Sequence, residues 1–108
     1  MTIMKGDSYP IYLELTLDNE VLTPDMIAEL EVCVGDALRK CYTEKEVMFD
    51  YSSSRWYIWP TQQETLELPQ GPYHVVIRIK YNNQDMEEVQ GFKIGKIDVV
   101  DTFSEEVI

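Results

Sequence analysis

One histidine, two cysteines and a few paired carboxylates are the residues of this chain best suited to chemistry. His74 stands in "GPYHVVIRIKY" between Tyr73 and Val75, where alternation turns it outward. A lone outward imidazole lacks the companions that a triad or a metal site requires. Cys33 and Cys41 form neither a CxxC pair nor a zinc pattern, so free thiols in a reducing compartment are expected. They flank a predicted hairpin turn at "GDA" on its outward face, as diagonal neighbours and not as a directly opposed pair. Asp85, Glu87 and Glu88 cluster in "QDMEE" without the spacing and internal glycine of a calcium loop, which predicts a solvated turn. Glu29 and Glu31 are placed on an outward face, with Arg39 or Lys40 as cross-strand partners. No nucleophile elbow, P-loop or dinucleotide fingerprint occurs. These residues predict no catalytic site, no metal and no cofactor.

The aromatic block "WYIWP" offers a different chemistry. On a regular strand Trp56 and Ile58 share one face, while Tyr57 and Trp59 share the other. One pair belongs in the core, because burying a large aromatic is worth several kcal/mol (on the order of 2–3 per side chain). The other pair meets solvent, a loop or a partner. Tyr57 and Trp59 are therefore the candidate interaction surface, open either to a sugar ring or to another protein.

The elements that hold these residues follow from period-two alternation. Tyr9, Ile11, Leu13, Leu15 and Leu17 share one face of a first strand. "LDNEVLTPD" reads as a loop with Asn, Pro and Asp as breakers. Residues 29–34 read as a strand with a helical turn before it, and Leu38 and Tyr42 face inward on the returning strand. Val47, Phe49 and Tyr51 share a face, "SSSR" turns the chain, and Pro60 ends the aromatic strand because it cannot donate to a ladder. "TQQE" is a capping box with Thr61 as N-cap and Glu64 at N3, predicting one helical turn over residues 62–66 with Leu66 and Leu68 aimed at the core. Tyr73, Val75, Ile77, Ile79 and Tyr81 form the clearest strand. "NNQD" connects it to a long final strand whose alternation slips near Gly91 and Gly95, as bulges cause.

Seven short strands, one helical turn and turn signals every eight to twelve residues predict a single all-β domain over residues 1–108, an antiparallel β-sandwich. "LELPQGPYHVVI" has the layout of an Ig-like tyrosine corner, with Tyr73 bonding back to the backbone. Residues 101–108, "DTFSEEVI", read as a loose acidic tail.

Composition narrows the partners. Twenty Asp and Glu against nine Lys and Arg give a net charge of −11, which repels phosphate backbones and anionic membranes. An acidic mimic of nucleic acid would need its carboxylates on one face, and this reading spreads them. No run is long enough to span a bilayer, and the N-terminus lacks the three regions of a signal peptide. Synthesis in the cytoplasm is expected.

The segments "KGDSYPIYLELT", "WPTQQETLELPQGPYHVVIRIKY" and "IDVVDTFSEEVI" span nearly the whole chain. Together they are similar to small Ig-like structural proteins of bacteriophages and prophages of Gram-positive bacteria. They also resemble the N-terminal Ig-like domain of phage baseplate upper proteins. The resemblance implies a non-enzymatic virion, tail or baseplate-associated protein. Such a protein is made in the host and carried into the particle, and it contacts other phage proteins or itself. It brings no catalytic residues. The alternative expectation is a small glycan-binding module using Tyr57 and Trp59.

Overall fold

A computed structural model describes residues 1–82, 89–104 and 106–108. Among the described residues the chain is mostly β, in ten strands (β1 Thr2–Met4, β2 Ile11–Leu13, β3 Thr16–Leu17, β4 Glu20–Val21, β5 Ile27–Val34, β6 Leu38–Cys41, β7 Val47–Asp50, β8 Arg55–Ile58, β9 Gly71–Tyr81, β10 Val89–Val100). A 3-10 turn covers Pro24–Met26, and one helical turn, α1, covers Gln62–Leu66. A five-stranded sheet has the order β1-β10-β9-β5-β6, a three-stranded sheet β2-β8-β7, and β3 and β4 form a small ribbon. Among the described residues no helix is long and apolar enough to cross a membrane.

Ten strands replace the seven expected. The three additions, β1, β3 and β4, are only two or three residues long, too short to show a period of two. β1 is one, and it runs parallel to β10, so the molecule is not wholly antiparallel. The expected strand over residues 9–17 keeps its inward face at Ile11, Leu13 and Leu15, but it divides into β2 and β3. The loop predicted at "LDNE" is a two-residue hairpin. Asp18 and Asn19 both take left-handed backbone (φ 52° and 66°), the arrangement that a type I′ turn requires and that Asp and Asn tolerate.

Two bulges explain the breaks in alternation. In β5 the register shifts between Ile27 and Glu29, so Ile27 is buried and Ala28 is exposed. In β10 the shift falls between Lys93 and Gly95, as predicted, whereas Gly91 pairs regularly with Arg78. The "NNQD" connection lies mostly outside the described residues, but β9 and β10 pair antiparallel on either side of it. β7 ends at Asp50, whose carboxylate accepts from Ser52 and Ser53. The turn therefore begins at Tyr51, and its ring is exposed, edge-on to Phe49 at 4.9 Å.

One hydrophobic cluster draws on both main sheets, with Leu30, Val32, Ile77 and Val99 from the first and Leu13, Val47, Trp56 and Ile58 from the second. Trp56 is fully buried, flanked edge-on by Tyr42 and Phe49. Its indole N–H donates to the Leu22 carbonyl at 2.7 Å, which satisfies the one polar atom that burial would orphan. Leu68 is buried as expected, and Leu66 rests half-buried against Gly6.

Candidate functional site

β8 sorts the aromatic block as alternation requires. Trp56 and Ile58 enter the core, while Tyr57 points out and Trp59, just past the strand end, is 51% exposed. Pairing across the sheet adds neighbours that spacing along one strand could not reveal. Tyr12 of β2 and Met48 of β7 lie opposite Tyr57. The Tyr12 and Tyr57 rings are 5.6 Å apart and tilted by 51°. The Arg55 guanidinium stacks over the Tyr12 ring at 3.9 Å, a cation–π contact. Trp59 donates its indole N–H to Ser8 Oγ at 3.2 Å. The outcome is a mixed aromatic and cationic face on the smaller sheet. Its rings are not coplanar, as a platform for a flat sugar face would have them.

The residues predicted to be structural occupy the positions expected of them. Thr61 Oγ1 accepts from the Glu64 backbone, and Glu64 returns a carboxylate to the Thr61 N–H, closing the capping box. Tyr73 donates its hydroxyl to the Pro69 carbonyl at 2.6 Å, the back-bond of a tyrosine corner. The ring also covers Gly35. A Cβ at that position would come within 2.7 Å of Tyr73, and φ there is +54°, so only glycine serves both demands.

Lys40 departs from expectation. It lies opposite Val32, on the inward face, and is nearly buried. Its ammonium bonds Glu64 at 2.6 Å, with Glu46 at 3.6 Å, so it ties β6 to α1 instead of pairing with Glu29 or Glu31. Burial pushes the Glu64 carboxyl up, but hydrogen bonds from Lys40 and the Thr61 backbone outweigh it and hold the group below its ordinary value. Glu31 does take Arg39, as predicted, and also Arg78. Burial raises its carboxyl as well, and the Arg39 and Cys33 hydrogen bonds with the Arg78 charge more than reverse the effect. Glu29 instead accepts from the backbone and hydroxyl of Thr43.

The thiols are free. Cys33 lies opposite Arg39 and Cys41 opposite Glu31, the diagonal relation predicted. Cys41, Glu44 and Glu46 bring ligand-type atoms within 4.8 Å of one another. Glu46, however, already accepts from the Cys41 backbone and faces the Lys40 ammonium, so this group reads as a capped turn. His74 is exposed on β9. Asp85, Glu87 and Glu88 lie outside the described residues.

A second surface was not singled out by any motif. β1 pairs with β10 only opposite Asp98, Val99 and Val100. Among the described residues, residues 89–95 have β9 on one side and no strand on the other. Val89, Phe92 and Ile94 are exposed along this stretch. An open groove of about 310 Å³ adjoins it, lined by Leu15, Leu17, Leu22, Ile77, Phe92 and Ile94, with Glu14, Asp18 and Lys93 also on its wall. A sequence signal existed: β10 is 12 residues long and β1 only three. That the short strand covers one end of the long one is a matter of three-dimensional pairing. Comparison with family models, with curated proteins and with solved structures finds no match to this chain.

Proposed function

We propose that the protein is a non-enzymatic structural component of a bacteriophage or prophage particle, acting through protein–protein contacts. The observation that carries a contact role is the open stretch of β10, residues 89–95, with its exposed Val89, Phe92 and Ile94. Unpaired backbone beside apolar side chains is a surface that takes another strand. The phage assignment rests on the resemblance of the opening, middle and closing segments given above. An Ig-like sandwich is the finer reading of the fold. In its favour, β10-β9-β5-β6 and β2-β8-β7 follow the G-F-C-C′ and B-E-D orders of Ig-type sheets. Tyr73 makes its back-bond at the start of the strand in the F position. Neither nucleic acid nor a membrane is the partner under this reading, since the chain carries a net charge of −11. The test is mass spectrometry of particles purified after induction of the host. The protein is expected in the particle fraction at a fixed ratio to other virion proteins. Its confinement to the free fraction would overturn the proposal.

A second reading, a glycan-binding module, draws on the 51% exposure of Trp59 beside Tyr57 and Tyr12. Titration with a broad saccharide panel would shift tryptophan emission, and Trp59→Ala would abolish the shift. A flat response across the panel removes this reading.

A further inference from the structure

We infer that the outer face of the larger sheet is a docking surface for an acidic partner protein, which it receives through paired arginines and two lysines. This surface is distinct from the open edge of β10 that carries the proposed contact role.

Register assembles it. Cys33 of β5 lies opposite both Arg39 of β6 and Val76 of β9, and Val76 lies opposite Lys93 of β10. One row along, Glu31 lies opposite Arg78, and one row the other way His74 lies opposite Lys96. These positions face away from the core, since the alternate residues Val32, Val75 and Ile77 are buried. Four cations and the histidine thus share a patch four strands wide, about 15 Å. The chain around it carries a net charge of −11.

In these rows the carboxylate of Glu31 sits beneath the cations. Its side chain is 10% exposed, whereas Arg39 and Arg78, which pair with it, are 62% and 61% exposed. Both guanidiniums approach Glu31 through Nε, at 2.5 Å and 3.2 Å. One negative charge therefore anchors two positive ones, and the terminal nitrogens are left for a second anion. A guanidinium held in this way offers a preset fork, the geometry that a carboxylate matches. Lys93 and Lys96 are exposed, and among the described residues neither pairs with a carboxylate. The other acids of this face stand at its ends. Glu29 lies opposite Lys80 and accepts from Thr43, and Asp98 lies opposite Pro72.

Two features select an acidic protein as the occupant. The first is charge complementarity, which sets the rate and orientation of encounter. The second is the centre of the patch, where Cys33 and Val76 are half-buried. An apolar centre inside a charged rim is the anatomy of a protein–protein contact. A nucleic-acid backbone running across the patch would meet the acidic remainder of the chain on either side. A folded partner can confine its carboxylates to the patch.

The experiment is fluorescence anisotropy on the full chain, with labelled poly-L-glutamate as the probe. Binding is expected at low ionic strength and should weaken as salt is added. A copolymer of Glu and Tyr should bind more tightly, because its rings can cover Cys33 and Val76. Lys93→Glu/Lys96→Glu should lower affinity by about tenfold or more. Both side chains are exposed, so its far-UV circular dichroism and urea midpoint should match wild type. Lys93→Glu alone should weaken binding several-fold, while Lys45→Glu, the same charge change away from this face, should stay within about twofold. Arg39→Lys/Arg78→Lys keeps the charge that Glu31 requires but removes the fork, and should also weaken binding. No binding of poly-L-glutamate at low ionic strength overturns the inference. So does equal weakening by Lys93→Glu and Lys45→Glu, or no gain from tyrosine. An oligothymidylate of matched charge that binds more tightly than the copolymer would assign the face to phosphate and overturn it too. Carboxylate binding by a protein absent from particles would leave this inference standing and remove the phage reading. Presence in particles without such binding would do the reverse.

Discussion

Ile97 and Ile94 lie three residues apart on one strand, and their surroundings have almost nothing in common. Ile97 is 2% exposed, in the half of β10 that β1 closes on one side and the core closes below. Ile94 is 38% exposed at the bulge, in the half that has β9 alone. Residue type is identical, and so is the strand. What differs is whether a second strand lies alongside. The sealed half holds the fold together, and the open half retains surface for a partner. All four outer edge strands (β1, β2, β6 and β7) are three or four residues long, which limits unwanted pairing there. The open part of β10 is the exception in length.

The widest gap between the two halves should appear on truncation. Ile97→Ala is expected to cost roughly 2–5 kcal/mol by urea denaturation, since the site cannot collapse around the void. Ile94→Ala should stay within about 0.5 kcal/mol, as exposed positions do. Equal losses would dissolve the distinction. A second substitution tests the closed end of the neighbouring strand. Gly35→Ala must tolerate both left-handed backbone and the Tyr73 ring, and about 1–3 kcal/mol should be lost. A neutral outcome would show that Tyr73 is free to move.

Smaller effects refine the picture. Tyr73→Phe should cost about 1 kcal/mol by removing the bond to Pro69, and Thr61→Ala about 1 kcal/mol by removing the cap. Both would appear as a lower thermal midpoint, with circular dichroism otherwise native. The pH dependence follows from Glu31 and Glu64, whose carboxyls are held below the ordinary value of 4.5 in the folded chain. Their folded pKa values are depressed, so the stability they contribute is fully present above 4.5. It is lost as pH falls through the folded values, where the folded state must take up protons that the unfolded chain already holds. Thermal midpoints should therefore decline below that pH, and Glu31→Gln should flatten the slope. A slope that the substitution leaves unchanged would place the acid sensitivity elsewhere.

Much of the fold was legible because it is written locally. The capping box at Thr61 and Glu64 needs only four consecutive residues, and α1 begins and ends where that box predicts. Period two identified β9 and sorted Trp56 from Trp59, since a strand alternates whatever it pairs with. Lys40 was misread for the opposite reason. It was given Glu29 or Glu31 as a partner, although alternation with Leu38 puts it on the inner face opposite Val32, and the carboxylate that makes this burial tolerable stands 24 positions later. Arg55 and Tyr12, which complete the aromatic face, belong to different strands 43 positions apart. No spacing rule connects them.

The amino-acid sequence by itself determined the strands of four or more residues, the direction of most side chains, the helical cap and the strongly acidic balance. Each depends on backbone sterics or on neighbours a few residues away. Tertiary structure alone decided that β1 runs parallel to β10 and covers just one end of it, that a bulge in β5 buries Ile27 and exposes Ala28, and that Lys40 pairs with Glu64. Those outcomes depend on contacts between residues far apart in the chain. Such contacts form only where loop closure and core packing agree, and one-dimensional patterning carries no record of them.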